Sequence, residues 1–202
     1  MHIEGRSLKR GKENSTLDCY DCHSNVYDAY QFAVVSHYQD MLNIVAQTCQ
    51  RYLKSNSSII DLGCGTGNAS LAILQKMPIR VFLIDGSPRM INIAYNKICS
   101  VYPNALIGSK VADLSIESWA DELGSGYDAI VSTLVLEHLS SESYENILKG
   151  CFDLLKPGGW LMAVEGYEEE ESDEIQWFNE EMETRKNTLD IRLSNFVARL
   201  RN

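Results

Sequence analysis

The sequence predicts an α/β domain with a doubly wound, mostly parallel sheet, and three observations carry that expectation. The first is the stretch Ile59-Ile60-Asp61-Leu62-Gly63-Cys64-Gly65-Thr66-Gly67. There a short apolar strand breaks into a turn with glycine at alternate positions, then resumes through Asn68 to Leu74 with apolar residues at helical spacing. The second is Asp85, which closes another apolar run, Ile79 to Ile84, at about the twenty-residue offset from the glycines where nucleotide-binding α/β folds keep a ribose-binding acid. The third is that short apolar runs and helical patterns go on alternating as far as Glu165, the mark of successive βαβ units.

Length and charge bound the answer. The 202 residues suit one domain with a sizeable core. No apolar run approaches the roughly 20 residues needed to cross a bilayer, and there is no signal-peptide pattern, so a cytoplasmic chain without a membrane partner is expected. The formal net charge of −10 opposes docking on phosphate backbones, so no nucleic-acid partner is expected.

In chain order, Ile3-Glu4-Gly5-Arg6 reads as a protease-cleavage scar, and residues 1–16 as that scar plus a mobile polar arm. Residues 17–56 are expected to form an N-terminal helical cap. It opens on Cys19-Tyr20-Asp21-Cys22-His23, which matches both a haem-attachment pattern and half of a zinc site. Tetrahedral zinc needs four ligands, and Cys49, Cys64, Cys99 and Cys151 are scattered, so ordinary thiols and no metal are expected. From Val26 to Leu53 apolar residues recur at spacings of three and four without Pro or Gly, which predicts one long helix. Its Tyr27, Tyr30, His37 and Tyr38 are either an amphipathic packing face or contacts in a binding pocket.

Residues 57–166 form the expected α/β core. Alternate glycines let the chain turn with positive φ and let a ligand lie where a Cβ would collide. Spacing separates the nucleotide loops. A dinucleotide G-x-G-x-x-G pattern would place its third small residue at Asn68, whereas the glycine stands at Gly67, and no Gly-Lys-Ser/Thr follows for a phosphate loop. Pro78 ends the first helix. After Asp85-Gly86, Ser87 is an N-cap with Pro88 at the first helical position, and Met90, Ile91, Ala94, Tyr95 and Ile98 line the next helix. A third strand, Ala105 to Ala112, ends at Asp113-Leu114, where Asp113 either contacts a ligand or caps a helix carrying Ile116, Trp119 and Leu123. A fourth strand, Tyr127 to Ser132, leads into Thr133-Leu134-Val135-Leu136-Glu137-His138-Leu139. His138 is read there as a packed residue. Capping serines at 140–143 start a further helix, Lys156-Pro157-Gly158-Gly159 stops it, and Trp160 to Val164 is the fifth strand.

The pattern Asp61-x-Gly63-x-Gly65-x-Gly67 after an apolar strand resembles the first motif of the class I S-adenosylmethionine-dependent methyltransferases. The segment after the fourth strand and the Leu-Leu-Lys-Pro-Gly-Gly turn are similar to later landmarks of that family, so the resemblance runs from about Tyr52 to Glu165. It implies a Rossmann-like sheet that binds S-adenosylmethionine and releases S-adenosylhomocysteine. The cofactor contacts it implies are Asp61, Gly63, Cys64, Gly65 and Gly67 in the loop; Asp85, Gly86 and Met90 at the ribose; Asp113 and Leu114 at the adenine; and Thr133 and Leu134 near the methyl. The chain lacks both the Asp/Asn-Pro-Pro-Tyr and the Pro-Cys motifs of base methylases in the corresponding place, so the resemblance implies a small-molecule acceptor. No catalytic residue is assigned. A non-catalytic cofactor-binding module and a nucleotide-dependent oxidoreductase stay open as alternatives, the second disfavoured by the Gly67 spacing.

Residues 167–202 depart from the family, which continues into two more strands. An acidic run to Glu174 precedes a helical stripe of Ile175, Phe178, Met182, Leu189, Leu193 and Phe196, leaving no residues for those strands. Either the domain is truncated or this helix docks elsewhere. Its last helix should fold back over the sheet edge or pair with a second copy as a homodimer.

Overall fold

Ile59, Ile60 and Leu62 put apolar side chains on both faces of one strand, a pattern that suits a strand covered by helices on both sides. In the computed structural model, which describes residues 26–165, that strand is β1 (Ser58–Leu62) at the centre of the sheet. It pairs in parallel with β2 (Arg80–Asp85) on one side and β4 (Tyr127–Thr133) on the other. With β3 (Leu106–Val111) and β5 (Leu155–Val164) at the edges, the order is β3-β2-β1-β4-β5 and every pairing is parallel. The chain winds outward from β1 to β3, then returns to the other side of β1 for β4. That reversal opens a crevice at the C-terminal ends of β1 and β4, where open α/β sheets bind ligands.

Among the described residues, five α-helices complete the layers: α1 (Tyr27–Val34), α2 (Tyr38–Tyr52), α3 (Asn68–Leu74), α4 (Pro88–Val101) and α5 (Ser141–Leu154). Leu42, Val45, Ile73, Ala94 and Ile98 cover one sheet face with Ile59 and Val81. Ile147, Cys151 and Trp119 cover the other with Ile60, Leu62 and Ile130. The predicted caps are present: the Ser87 side chain accepts from the Met90 N–H with Pro88 in the first turn, and Ser140 accepts from Ser143 N–H.

The structure differs from expectation in three places. The helix predicted over Val26 to Leu53 is two helices, because His37 takes a left-handed φ of 55°. Both pieces are tied to the same loop, Asp28 of α1 through Thr66 and Asn68, and Tyr38 of α2 through Asn68, so the chain must bend between them. The helix expected around Trp119 is a single 3₁₀ turn, Glu117–Ala120, whose indole is buried. The fifth strand begins at Leu155 rather than Trp160. Its register to β4 slips between the Tyr127–Leu155 and Ala129–Trp160 pairs, and Gly158 takes a φ of 77° in between. The Cys19-Cys22-His23 segment, the N-terminal arm and the expected C-terminal helix lie outside the described residues.

Candidate cofactor cleft

Gly63, Gly65 and Gly67 all have positive φ, at 69°, 49° and 82°, but each does a different job. A Cβ on Gly63 would lie 2.4 Å from Val135 Cγ2, so this glycine lets the segment after β4 close against the loop. At Gly65 the nearest atom to such a Cβ is on the Tyr27 ring, 3.4 Å away. At Gly67 a Cβ would stand 3.0 Å from that of Ala94, so here the glycine permits the start of α3 to pack on α4.

Asp85 ends β2 beside this loop. Its Oδ2 accepts from the Gly65 N–H and its Oδ1 from the Ser87 N–H, both at 2.8 Å. Burial pushes its carboxyl above the usual range, and the backbone donors of Ser87, Gly65 and Gly86 oppose that push. Backbone donors take part of its accepting capacity, and an ionised carboxylate, with about four lone-pair sites over its two oxygens, retains some for a ligand hydroxyl.

These elements enclose a cleft of about 310 Å³ at the C-terminal ends of the strands. Of the residues singled out from sequence, Gly63, Gly65, Asp85, Gly86 and Met90 line it from the β1 and β2 sides. Asp113 and Leu114 line it beyond β3, and Leu134 beyond β4. Asp113 is also a turn former: its Oδ1 accepts from the N–H of Ser115 at 2.9 Å and from its hydroxyl at 2.7 Å. Asp61, Cys64, Gly67 and Thr133 are not among the lining residues. Asp61 and Cys64 are buried and Gly67 meets Ala94, so a motif contiguous in sequence is split between cleft and interior.

Sequence reasoning left Ser115, Val135 and Leu139 unassigned, and all three line the cleft, with Tyr27 over the glycine loop. His138, expected to be packed, is instead exposed at the cleft margin, its Nε2 3.6 Å from Glu137 Oε1. Tyr27 is held in place through its neighbour. Asp28 accepts from Thr66 Oγ1 and from Asn68 Nδ2 (3.0 Å) and pairs with Lys97 Nζ (2.7 Å), and these partners lower its carboxyl pKa against the opposing effect of burial.

Asp61 lies under the loop. It is 1% exposed, accepts from the Ser70 hydroxyl, and among the described residues its Oδ1 has no hydrogen-bond partner. Burial pushes its carboxyl from an ordinary 3.8 to about 6. Because the folded value is the raised one, Asp61's contribution to stability is complete below pH 3.8 and is lost as pH rises through about 6. That rise corresponds to about 3 kcal/mol. Asp61→Asn keeps an oxygen for Ser70, so it should stabilise the fold at about pH 8 and change little at about pH 4. Urea midpoints at the two pH values check this. Cys64, also buried, has its thiol pKa raised by burial and by the Asp61 and Asp85 carboxylates, which removes it as a thiolate nucleophile.

A family model described as a methyltransferase domain matches residues 59–159, from β1 through the glycine turn of β5. The chain belongs to the methyltransferase domain family. Among its relatives is carboxy-S-adenosyl-L-methionine synthase of Shewanella halifaxensis (strain HAW-EB4), 31% identical over 138 residues that make up 65% of this chain and 53% of that protein. The chain thus spans about half the length of the relative it matches. Among solved structures, the DhpI–SAM–HEP complex aligns with a TM-score of 0.61 at 22% identity, over 84% of this chain and 73% of that one. Coclaurine N-methyltransferase bound to N-methylheliamine and SAH aligns at 0.50 and 24%, over 59% of this chain and 34% of that one. At these identities the structural likeness establishes the methyltransferase-domain fold, and no described helix is long and apolar enough to cross a membrane.

Proposed function

We propose that this methyltransferase domain binds S-adenosylmethionine in the cleft and transfers its methyl group to a small-molecule acceptor, releasing S-adenosylhomocysteine. The observation that carries the reading is the convergence of the glycine loop, the Asp85 carboxylate and the Leu134–Leu139 segment on one cleft at the sheet's switch point. The residues fit the cofactor. Gly63 and Gly65 expose backbone to the methionyl part, Asp85 offers its carboxylate to the ribose hydroxyls, and Asp113 and Leu114 offer an acceptor and an apolar face to the adenine. The cleft's volume is at the low end of the roughly 300–1,000 Å³ typical of small-molecule sites.

When bound, the sulfonium supplies an already electrophilic methyl, so an acceptor lone pair displaces the thioether and the protein need not contribute a base. What the chain contributes is alignment and exclusion of water, through Met90, Leu114, Leu134 and Leu139 around the cleft and Tyr27 over the loop. Support for a small acceptor comes from the net charge of −10 and the missing base-methylase motifs. The named activities of the carboxy-S-adenosylmethionine synthase relatives and of coclaurine N-methyltransferase point the same way.

A second reading is favoured by those synthase relatives: that the chain builds a carboxylated cofactor rather than transferring a methyl. It would have to hold an added carboxylate, and among the described lining residues none is Lys or Arg. Incubation with S-adenosylmethionine, a panel of methyl acceptors and a panel of small carboxylic acids as carboxyl donors, read by mass spectrometry, separates the outcomes. Methyl transfer gives S-adenosylhomocysteine and an acceptor heavier by one CH₂. The second reading gives a cofactor heavier by a carboxylate, and tight cofactor binding without either product would leave a binding module.

A further inference from the structure

The side chain that closes the far wall of the cleft does not touch the cleft itself. Glu165 directly follows β5, and its Oε2 accepts from the backbone N–H groups of Val135 (2.8 Å), Leu136 (2.9 Å) and Glu137 (3.4 Å). Its Oε1 receives the Ser132 hydroxyl at 3.5 Å. Next to it, Leu134 donates its N–H to Val164 O at 2.8 Å and stands at a φ of 58°, a left-handed conformation that costs a branched L-residue about 1–2 kcal/mol. A strained residue persists only where its surroundings over-determine it. Here the surroundings are one carboxylate and one strand end, both from β5.

We propose that Glu165 is a positioning residue, whose carboxylate clamps the turn after β4 so that Leu134 faces the cleft and Val135 seats against Gly63. The inference rests on the cofactor reading given above and names the group that sets the shape of that site on the side opposite Asp85. Strand order makes the argument spatial. Asp85 ends β2 and Leu134 follows β4, so the two walls stand on either side of β1, and Val135 is the piece that joins the second wall to the glycine loop. Ser132, Val135, Leu136 and Glu137 all belong to the β4 side, while the carboxylate comes from the β5 side, about thirty residues later, so the wall is completed only after β5 has docked. The acceptor role is what matters. Loss of the carboxyl leaves the Val135 and Leu136 amides without it and frees Leu134 to relax to negative φ.

The test is S-adenosylhomocysteine binding by calorimetry to the full chain and three variants, with amide hydrogen exchange at Val135 and Leu136. Glu165→Ala should raise the dissociation constant about tenfold and speed exchange at both amides. Glu165→Gln, which keeps an acceptor oxygen, should stay within about threefold of the parent chain. Asp128→Ala removes a comparable buried-end contact, the acceptor of the Ser58 N–H and partner of Lys156, at the other end of β4, and should lower the melting temperature without changing affinity. Unchanged affinity in Glu165→Ala overturns the proposal. So does a loss in all three variants that merely tracks their melting temperatures. If the parent chain binds no S-adenosylhomocysteine, the cofactor reading is what has failed, and exchange at the two amides decides the clamp by itself.

Discussion

Replacing Asp85 with alanine should cost the chain at least a hundredfold in affinity for S-adenosylmethionine and S-adenosylhomocysteine, by the following energetics. Two hydrogen bonds from ribose hydroxyls to an ionised carboxylate are each worth about 1.5–3 kcal/mol, so their joint loss is about 3–6 kcal/mol. The carboxylate is pre-aimed. The Gly65 and Ser87 N–H groups fix both oxygens at 2.8 Å, so little is lost in ordering it when the ligand arrives. The same two contacts mean that Asp85→Ala also orphans two backbone donors and weakens the loop, at about 1–3 kcal/mol each. Asp85→Asn halves both losses. Its amide oxygen can still serve one backbone donor and one ribose hydroxyl, whereas its NH₂ accepts from neither, so it should be less stable than the parent by about 1–3 kcal/mol and should bind between the parent and the alanine variant. Calorimetry on folded variants decides, and unchanged affinity in either would remove Asp85 from the ribose. Because burial raises this carboxyl, affinity in the parent chain should also fall as acid protonates it, and it should do so at a higher pH than for an exposed aspartate.

What could be read from sequence here was local. The β1–glycine–α3 unit, the acid closing β2 and the Ser87-Pro88 start of α4 each rest on neighbours within a few residues, where period and turn chemistry act directly. The doubly wound, parallel character of the sheet followed from the alternation of strands with helices. The misses share a cause, contacts between residues far apart in sequence. The apolar spacing of Tyr30, Val34, Tyr38 and Met41 runs unbroken through His37, and only Asn68, some thirty residues on, draws Tyr38 out of line with α1. Within the glycine motif, Asp61 and Cys64 turn inward and Gly67 meets Ala94, while Val135 and Leu139 of the segment after β4, assigned no contact from sequence, reach the cleft. Glu165 was legible only as the end of a strand, because its partners are amides of residues 135–137.

Gly63→Ala should damage the fold and the cleft together, and the way it fails is informative. At φ 69° an L-residue costs about 1–2 kcal/mol, and a Cβ 2.4 Å from Val135 Cγ2 and 2.7 Å from Cγ1 must push that side chain away. Overpacking of this kind costs about 1–3 kcal/mol more, giving about 2–5 kcal/mol in all. Val135 cannot yield freely, since its N–H is held by Glu165 and the preceding Leu134 is held by Val164 O. The strain is therefore expected to pass into the wall of the cleft, so affinity for S-adenosylhomocysteine should fall together with the urea midpoint. A double-mutant cycle divides the two terms. Val135→Ala removes both Cγ atoms and leaves a Cβ 3.0 Å from the added methyl. It should relieve most of the steric cost while the backbone cost of about 1–2 kcal/mol stays, so the pair should be more stable than the sum of the single variants by about 1–3 kcal/mol. Strict additivity would mean that Val135 does not seat against Gly63, and the clamp built on that contact would go with it.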